Sequence, residues 1–212
     1  MPPRKKHVRQ WWVGEKYTAK KYLPFTTAIG QSTLSWNDLH EALGQLFWTV
    51  LGGGFSDLPL GIWQVIRNDR TQRSVLLEAS KASLSGKGTW CEEGLENIKW
   101  IIARASELED DRNNAVHAPL QSSESTKLVF PSSSFGNTRA KNLENKDILK
   151  EFRRLRDTAI LLRDFSHRLS HVLADSRRTW PKRPRLPDRQ GSKIPEWHLR
   201  GFPEVPPHLR QS

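Results

Sequence analysis

From about Lys146 to Asp175, the apolar residues Ile148, Phe152, Leu155, Ala159, Leu162, Leu169 and Leu173 recur mostly at three- and four-residue steps among charged neighbours. Steps of that size follow the helical turn, so the segment predicts an amphipathic helix with one apolar stripe. Three earlier segments carry weaker versions of the pattern. Ser35-Trp36-Asn37-Asp38 approximates a capping box with Asp in place of Glu, and Leu39, Leu43, Phe47 and Val50 follow it before Gly52-Gly53-Gly54 ends the run. A second helix is predicted from about Leu60 to Leu84 with Ile62, Ile66, Leu76 and Leu77 inward, although Arg67, Asp69, Arg70 and Arg73 make its middle polar. A third, from Glu92 to about His117, places Leu95, Ile98, Ile102, Ala105 and Leu108 on one stripe. Pro119 stops it, because the residue before a proline is pushed out of helical geometry.

Between the third and fourth helices, Gln121 to Asn145 is rich in Ser and contains Leu128-Val129-Phe130, a short strand that makes either a small hairpin or a loop. Each amphipathic helix needs a partner for its stripe, so the predicted fold is all-α: a four-helix bundle-like domain with a long loop or small hairpin before its last helix. Seven prolines from Pro181 to Pro207 argue against long regular elements at the C-terminal end. The predicted organisation is a basic aromatic arm (residues 1–25), a helical domain (26–175) and a flexible Pro/Arg-rich basic tail (176–212).

The formal net charge of +11 changes this picture through its location. Met1 to Tyr22 carries seven Lys/Arg against one Glu, and Ser176 to Ser212 carries nine against three acids, which leaves the middle of the chain slightly acidic. A nearly neutral body with two basic ends points either to recruitment by RNA or another polyanion, the ends adding affinity and on-rate rather than sequence readout, or simply to solvated, disordered ends. Cations interleaved with Trp11, Trp12, Tyr17 and Tyr22 in the N-terminal arm are suited to phosphates and stacked bases, or to packing on the body. Trp36, Trp48, Trp63 and Trp100 fall within predicted helices and read as core, whereas Trp180 and Trp197 lie in the tail and are freer to bind something. Cys91 is the only cysteine, which excludes an intrachain disulfide and a multi-cysteine zinc site and fits a reducing compartment. The most apolar stretch, Leu46 to Leu51, is far short of the ~20 residues that span a bilayer, and no apolar core of a signal peptide follows the basic N-terminus. The expectation is a cytoplasmic protein that does not enter a membrane.

Candidate chemistry gathers where polarity invades the third helix, at Glu107-Leu108-Glu109-Asp110-Asp111-Arg112-Asn113-Asn114-Ala115-Val116-His117. At about 100° per residue, Asn113 and His117 share a face one turn apart, and Arg112 reaches around from the adjacent one. That trio suits phosphodiester cleavage of RNA. His117 would take the proton of a ribose 2′-OH, Arg112 would hold the phosphate bidentately, and Asn113 would orient the imidazole or the phosphate, with no metal or other cofactor. One His is a poor choice for both acid and base, and a symmetric homodimer bringing two copies of His117 together would answer that. The opposing reading is structural: Arg112 pairs with Glu109 or Asp111, and His117 merely favours the negative end of the helix dipole.

Arg112, four intervening residues and His117, with the polar Asn113 after the Arg, on the third helix of a four-helix body, resemble the Arg-x(4 to 6)-His motif of HEPN domains. The resemblance covers roughly Ser35 to Asp175. It implies a helical bundle, commonly dimeric, of the kind found as metal-independent endoribonucleases in toxin-antitoxin and defence systems, with Arg112, Asn113 and His117 in the active cleft and RNA as substrate. It also admits a protein partner such as an antitoxin.

Two other features enter as alternatives. Asp164, His167 and His171 follow i, i+3, i+7 spacing and present a carboxylate and two imidazoles that a metal could use. A non-catalytic reading makes the bundle an interaction module whose basic tails touch nucleic acid. The glycine run at Gly52 lacks the Lys-Ser/Thr and strand context of a phosphate loop and reads as a helix terminator.

Overall fold

A computed structural model describes residues 20–53, 56–122, 129–132, 137–143 and 146–189. In chain order the elements are α1 (Leu23–Val50), α2 (Leu58–Val65), α3 (Asp69–Leu84), α4 (Thr89–His117), β1 (Leu120–Ser122), β2 (Val129–Pro131), α5 (Thr138–Lys141) and α6 (Ile148–Ala174).

α6 forms as its spacing predicts. Asp147 caps it by accepting from Lys150 N at 3.1 Å, and Ile148, Phe152, Leu155, Ala159, Leu162 and Leu169 are all buried. α1 is its principal partner. It begins well before Ser35, at Leu23 with a proline in its first turn, so Ser35 is a buried mid-helix residue rather than a cap. Phe25, Ala28 and Ile29 carry the extension against the core as partly buried residues, and serines complete the interface. Ser32 Oγ donates to Phe152 O at 2.8 Å and Ser166 Oγ to Ala42 O at 3.0 Å, which ties the two backbones where the side chains are small.

The predicted second helix is two. Asn68 turns extended and accepts from Thr71 N at 3.1 Å, so the chain stops α2 and caps α3 within the polar stretch that looked like a helix middle. The inward residue of α2 is Trp63, not Ile62, which is 42% exposed. Trp63 stacks against Phe47 and lies over Gly44, where a Cβ would meet its Nε1 at 2.8 Å. On α3, Leu76 is buried as expected, and the charged Arg73 is buried with it. α4 buries Leu95, Ile98, Ala105 and Leu108, while Ile101 takes the fully buried position expected for Ile102. It ends at His117, before Pro119.

The helices pack pairwise around a closed ring, α1 on α6, α6 on α4, α4 on α3 and α3 on α1, with little contact across the diagonal from α1 to α4. That is a four-helix bundle arrangement, with the core enclosed by the ring. The Ser-rich excursion holds an antiparallel hairpin in which Leu120 faces Pro131 and Ser122 faces Val129. Among the described residues no helix is long and apolar enough to cross a membrane.

The C-terminal segment departs from a flexible tail beginning at Ser176. Residues 180–189 lie along α4, with Trp180 stacked on Trp90 at 4.8 Å between ring centroids and Arg183 Nε donating to Asn97 Oδ1 at 3.0 Å. Aromatic and arginine side chains supply here the contact that the prolines deny as helix or sheet. The later part of the predicted tail, with Trp197, and the arm tryptophans Trp11 and Trp12 lie outside the described residues.

Candidate functional site

The polar end of α4 carries five charged residues, and their partners decide what is left for chemistry. Glu107 pairs with Arg104 at 2.7 Å, and Glu109 with Arg73 and, at 3.7 Å, Arg70. Asp110 lies 3.9 Å from Arg70, and Asp111 takes Arg154 at 2.7 Å and Arg189 at 2.8 Å. Every acid of this stretch is engaged by another arginine, Glu107 by Arg104 of α4 itself and the rest by arginines of other elements. Arg112 pairs with none of them, which overturns the expectation of a local ion pair with Glu109 or Asp111. It donates instead to Asn113 Oδ1 at 3.0 Å, and its Nε is buried without a partner among the described residues.

His117 is exposed at the last position of α4, beyond the half-buried Arg112 and Asn113. Its pKa is held below the ordinary value of 6.5 by desolvation at the helix end, then by Arg139 and Arg112. The imidazole is therefore mostly neutral at pH 7, the form that accepts a proton. The structure thus brings Arg112, Asn113 and His117 together and adds Arg139, from α5. Nothing in the sequence signals Arg139, because only the hairpin's return carries α5 back against α4.

Behind Arg112 lies a buried polar layer that sequence reasoning also missed. Trp36, 2% exposed, receives the Arg112 guanidinium at 5.8 Å from its ring centroid and that of Arg73 at 5.7 Å, while its Nε1 donates to Asp69 Oδ2 at 2.8 Å. Arg73 donates Nε to Ser106 Oγ at 3.2 Å and Nη1 to His40 Nε2 at 3.2 Å. The tautomer of His40 follows from its neighbours. Gln72 spends its amide nitrogen on Trp63 O at 3.0 Å, so its oxygen faces His40 Nδ1 at 3.1 Å and must accept from it, leaving Nε2 to accept from Arg73. Burial above all lowers the His40 pKa, which agrees with a neutral ring. The one clue to this layer was the run of charges at Arg67, Asp69, Arg70 and Arg73, which registered only as a polar middle of the second predicted helix.

A second buried cluster supports the site from α6. Arg154 donates Nε to Glu151 Oε2 at 3.0 Å and Nη2 to Asp111 Oδ2 at 2.7 Å, and Lys146 lies 3.5 Å from Glu151. The metal alternative finds no such convergence. Asp164 pairs with Arg163 at 2.8 Å, and among the described residues no three His, Cys, Asp or Glu side chains gather as a ligand set with it, His167 or His171.

Comparison with family models, with curated proteins and with solved structures finds no match to this chain.

Proposed function

We propose that the end of α4 is an RNA-cleaving site of the HEPN type, with Arg112, Asn113 and His117 acting without a metal and two copies paired in a homodimer. The observation that carries the reading is the state of Arg112. Among the described residues the acids of this stretch are all claimed by other arginines and none pairs with Arg112, which Asn113 holds beside a depressed-pKa imidazole. An arginine so placed has its charge free for a phosphate.

The neutral His117 takes the proton of the 2′-OH, and the resulting alkoxide attacks the adjacent phosphorus. Arg112 stabilises the charge that develops on the phosphoryl oxygens, and the P–O5′ bond breaks to leave a 2′,3′-cyclic phosphate. The leaving 5′-oxygen takes its proton from the second copy's His117 in its imidazolium form. DNA lacks the 2′-OH and is not cut. Arg183 and Arg189 are committed to the body, which favours this reading over one in which that stretch of the tail contacts nucleic acid.

The test is incubation of the purified chain with mixed RNA in chelator, alongside His117→Ala and Arg112→Ala. Loss of cleavage by about a hundredfold or more in each variant supports the proposal, in line with removal of a general base or an oxyanion donor. Equal cleavage in all three proteins overturns it.

A further inference from the structure

Residues 180–189 meet the body at every third position. Trp180 stacks on Trp90 and its ring lies on Gly94. Arg183 bonds Asn97 and, at 3.2 Å, Glu96 O, with its guanidinium 5.7 Å from the Trp100 ring centroid. Leu186 packs on the core edge, and Arg189 forks onto Asp111 at 3.1 and 2.8 Å. Pro181, Pro184 and Pro187 are half-buried on a second face and Lys182, Arg185 and Asp188 are exposed on the third, while Arg183 and Arg189, though exposed themselves, reach back to α4. A repeat of three with proline on one face is the signature of polyproline II.

The receiving surface has a matching period. Trp90, Asn97, Arg104 and Asp111 stand seven residues apart along α4. Seven residues of α-helix rise about 10.5 Å, and three of polyproline II about 9.3 Å, so successive contacts of the segment fall every second turn of the helix. The fit is nonetheless incomplete. Among the described residues four buried side-chain donors lack a partner, and three of them, Trp90 Nε1, Trp180 Nε1 and Arg104 Nε, lie along this contact. A cavity of about 180 Å³ remains beneath Leu186, Pro187 and Arg189, lined on the body side by Arg104, Leu108 and Thr158. Unpaired donors and an unfilled cavity make the contact weaker than a core and ready to exchange.

We propose that the α4 face lined by Trp90, Gly94, Asn97, Trp100 and Asp111 is a recognition groove for arginine-bearing polyproline-II peptides, occupied in cis by Trp180–Arg189 and opened when a partner's peptide displaces that segment. The partner is identified by chemistry: Trp, Arg, an aliphatic residue and Arg at successive third positions, with prolines between. Aromatic rings and a preformed extended helix are the usual elements of such recognition, and the acids at the far end of the groove supply polarity. This inference stands apart from RNA cleavage and survives its failure.

The test uses a fluorescein-labelled peptide of residues 179–189 titrated into the full chain and followed by anisotropy. The chain carrying Trp180→Ala and Arg183→Ala frees its groove and is expected to bind the peptide at least about tenfold more tightly than the unaltered chain, whose own segment competes at high effective concentration. Replacing the three prolines of the peptide by alanine is expected to weaken binding about fivefold or more, through lost preorganisation. Adding Gly94→Ala to the double variant abolishes binding, since a Cβ there would stand 2.8 Å from the Trp180 ring. Asn97→Ala serves as the second groove variant, and circular dichroism confirms that each chain is folded. Failure of the folded double variant to bind, equal binding by the unaltered chain, or undiminished binding after both groove changes overturns the proposal.

Discussion

The guanidinium of Arg112 lies over the indole of Trp36, 5.8 Å from the ring centroid, so a residue of α1 sets where the α4 arginine can reach. Trp36→Phe keeps a ring at this place but loses the Nε1 bond to Asp69 and offers a weaker face to the cation. It is expected to cost about 1–2 kcal/mol in urea unfolding, the size of one buried hydrogen bond and part of a cation–π contact. If Arg112 acts in the transition state, kcat for RNA cleavage falls while KM changes little. An unchanged kcat would separate the ring from the chemistry.

Arg139 disfavours the imidazolium form of His117, as does Arg112. Arg139→Ala removes a nearby positive charge, so the His117 pKa should rise toward its ordinary value. Proton NMR of the ring Cε1–H across pH 5 to 8 reads this directly, and the acid limb of the cleavage profile should move to higher pH with it. A downward movement would place Arg139 away from the imidazole.

His40 gives the bundle a pH dependence of its own. Its folded-state pKa is depressed, by burial first, below the 6.5 of an unconstrained imidazole. Its contribution to stability is therefore complete above about pH 6.5. It is lost as pH falls from there through the folded-state value, because the unfolded chain takes up the proton that the folded chain refuses. His40→Gln, which cannot titrate, should flatten the decline in the urea midpoint between pH 6.5 and 5.5. An identical decline in both proteins would assign it to other groups.

Glu151 is 1% exposed and holds Arg154, itself buried, with Asp111 as the other partner. Glu151→Ala leaves that guanidinium under-compensated and should destabilise by about 3–5 kcal/mol. Replacing the pair together, as Glu151→Leu with Arg154→Met, should cost less than the single change, because the buried guanidinium leaves with its partner and Asp111 keeps Arg189. Chemical denaturation with a common m-value decides the order.

α6 and α4 were legible because their apolar spacing and proline punctuation act locally, whereas the hairpin stood open against a loop because a three-residue strand carries no period of its own. The stripe from Ile148 to Leu169 needs no knowledge of its partners. The first half of α1 was missed because Ser35-Trp36-Asn37-Asp38 looks like a cap although it lies inside a helix that Phe25 and Ile29 already hold to the core, and the break at Asn68 looked like one more polar position in a charged run. Arg112, Asn113 and His117 were found as a group because they lie close together on one helix, Asn113 and His117 a turn apart. Trp36, Arg139 and Arg189 were out of reach for the opposite reason: each arrives at the turn from another element, and one-dimensional spacing holds no record of that meeting. Trp180 was misjudged on composition, since a proline-rich basic stretch can lie on a surface without forming α-helix or sheet.

Helix ends fray, and a motif in a last turn has no intrinsic reason to keep its azimuth. Here Asp111 is gripped by Arg154 of α6 and by Arg189, while the next residue, Arg112, is seated on Trp36 of α1. Adjacent positions about 100° apart around the axis are thus held by different parts of the molecule, which stops the final turn from rotating about that axis. The direction in which Asn113 and His117 point is consequently a property of the assembled bundle and of the segment laid along α4. A peptide of residues 107–117 would carry the same side chains without it.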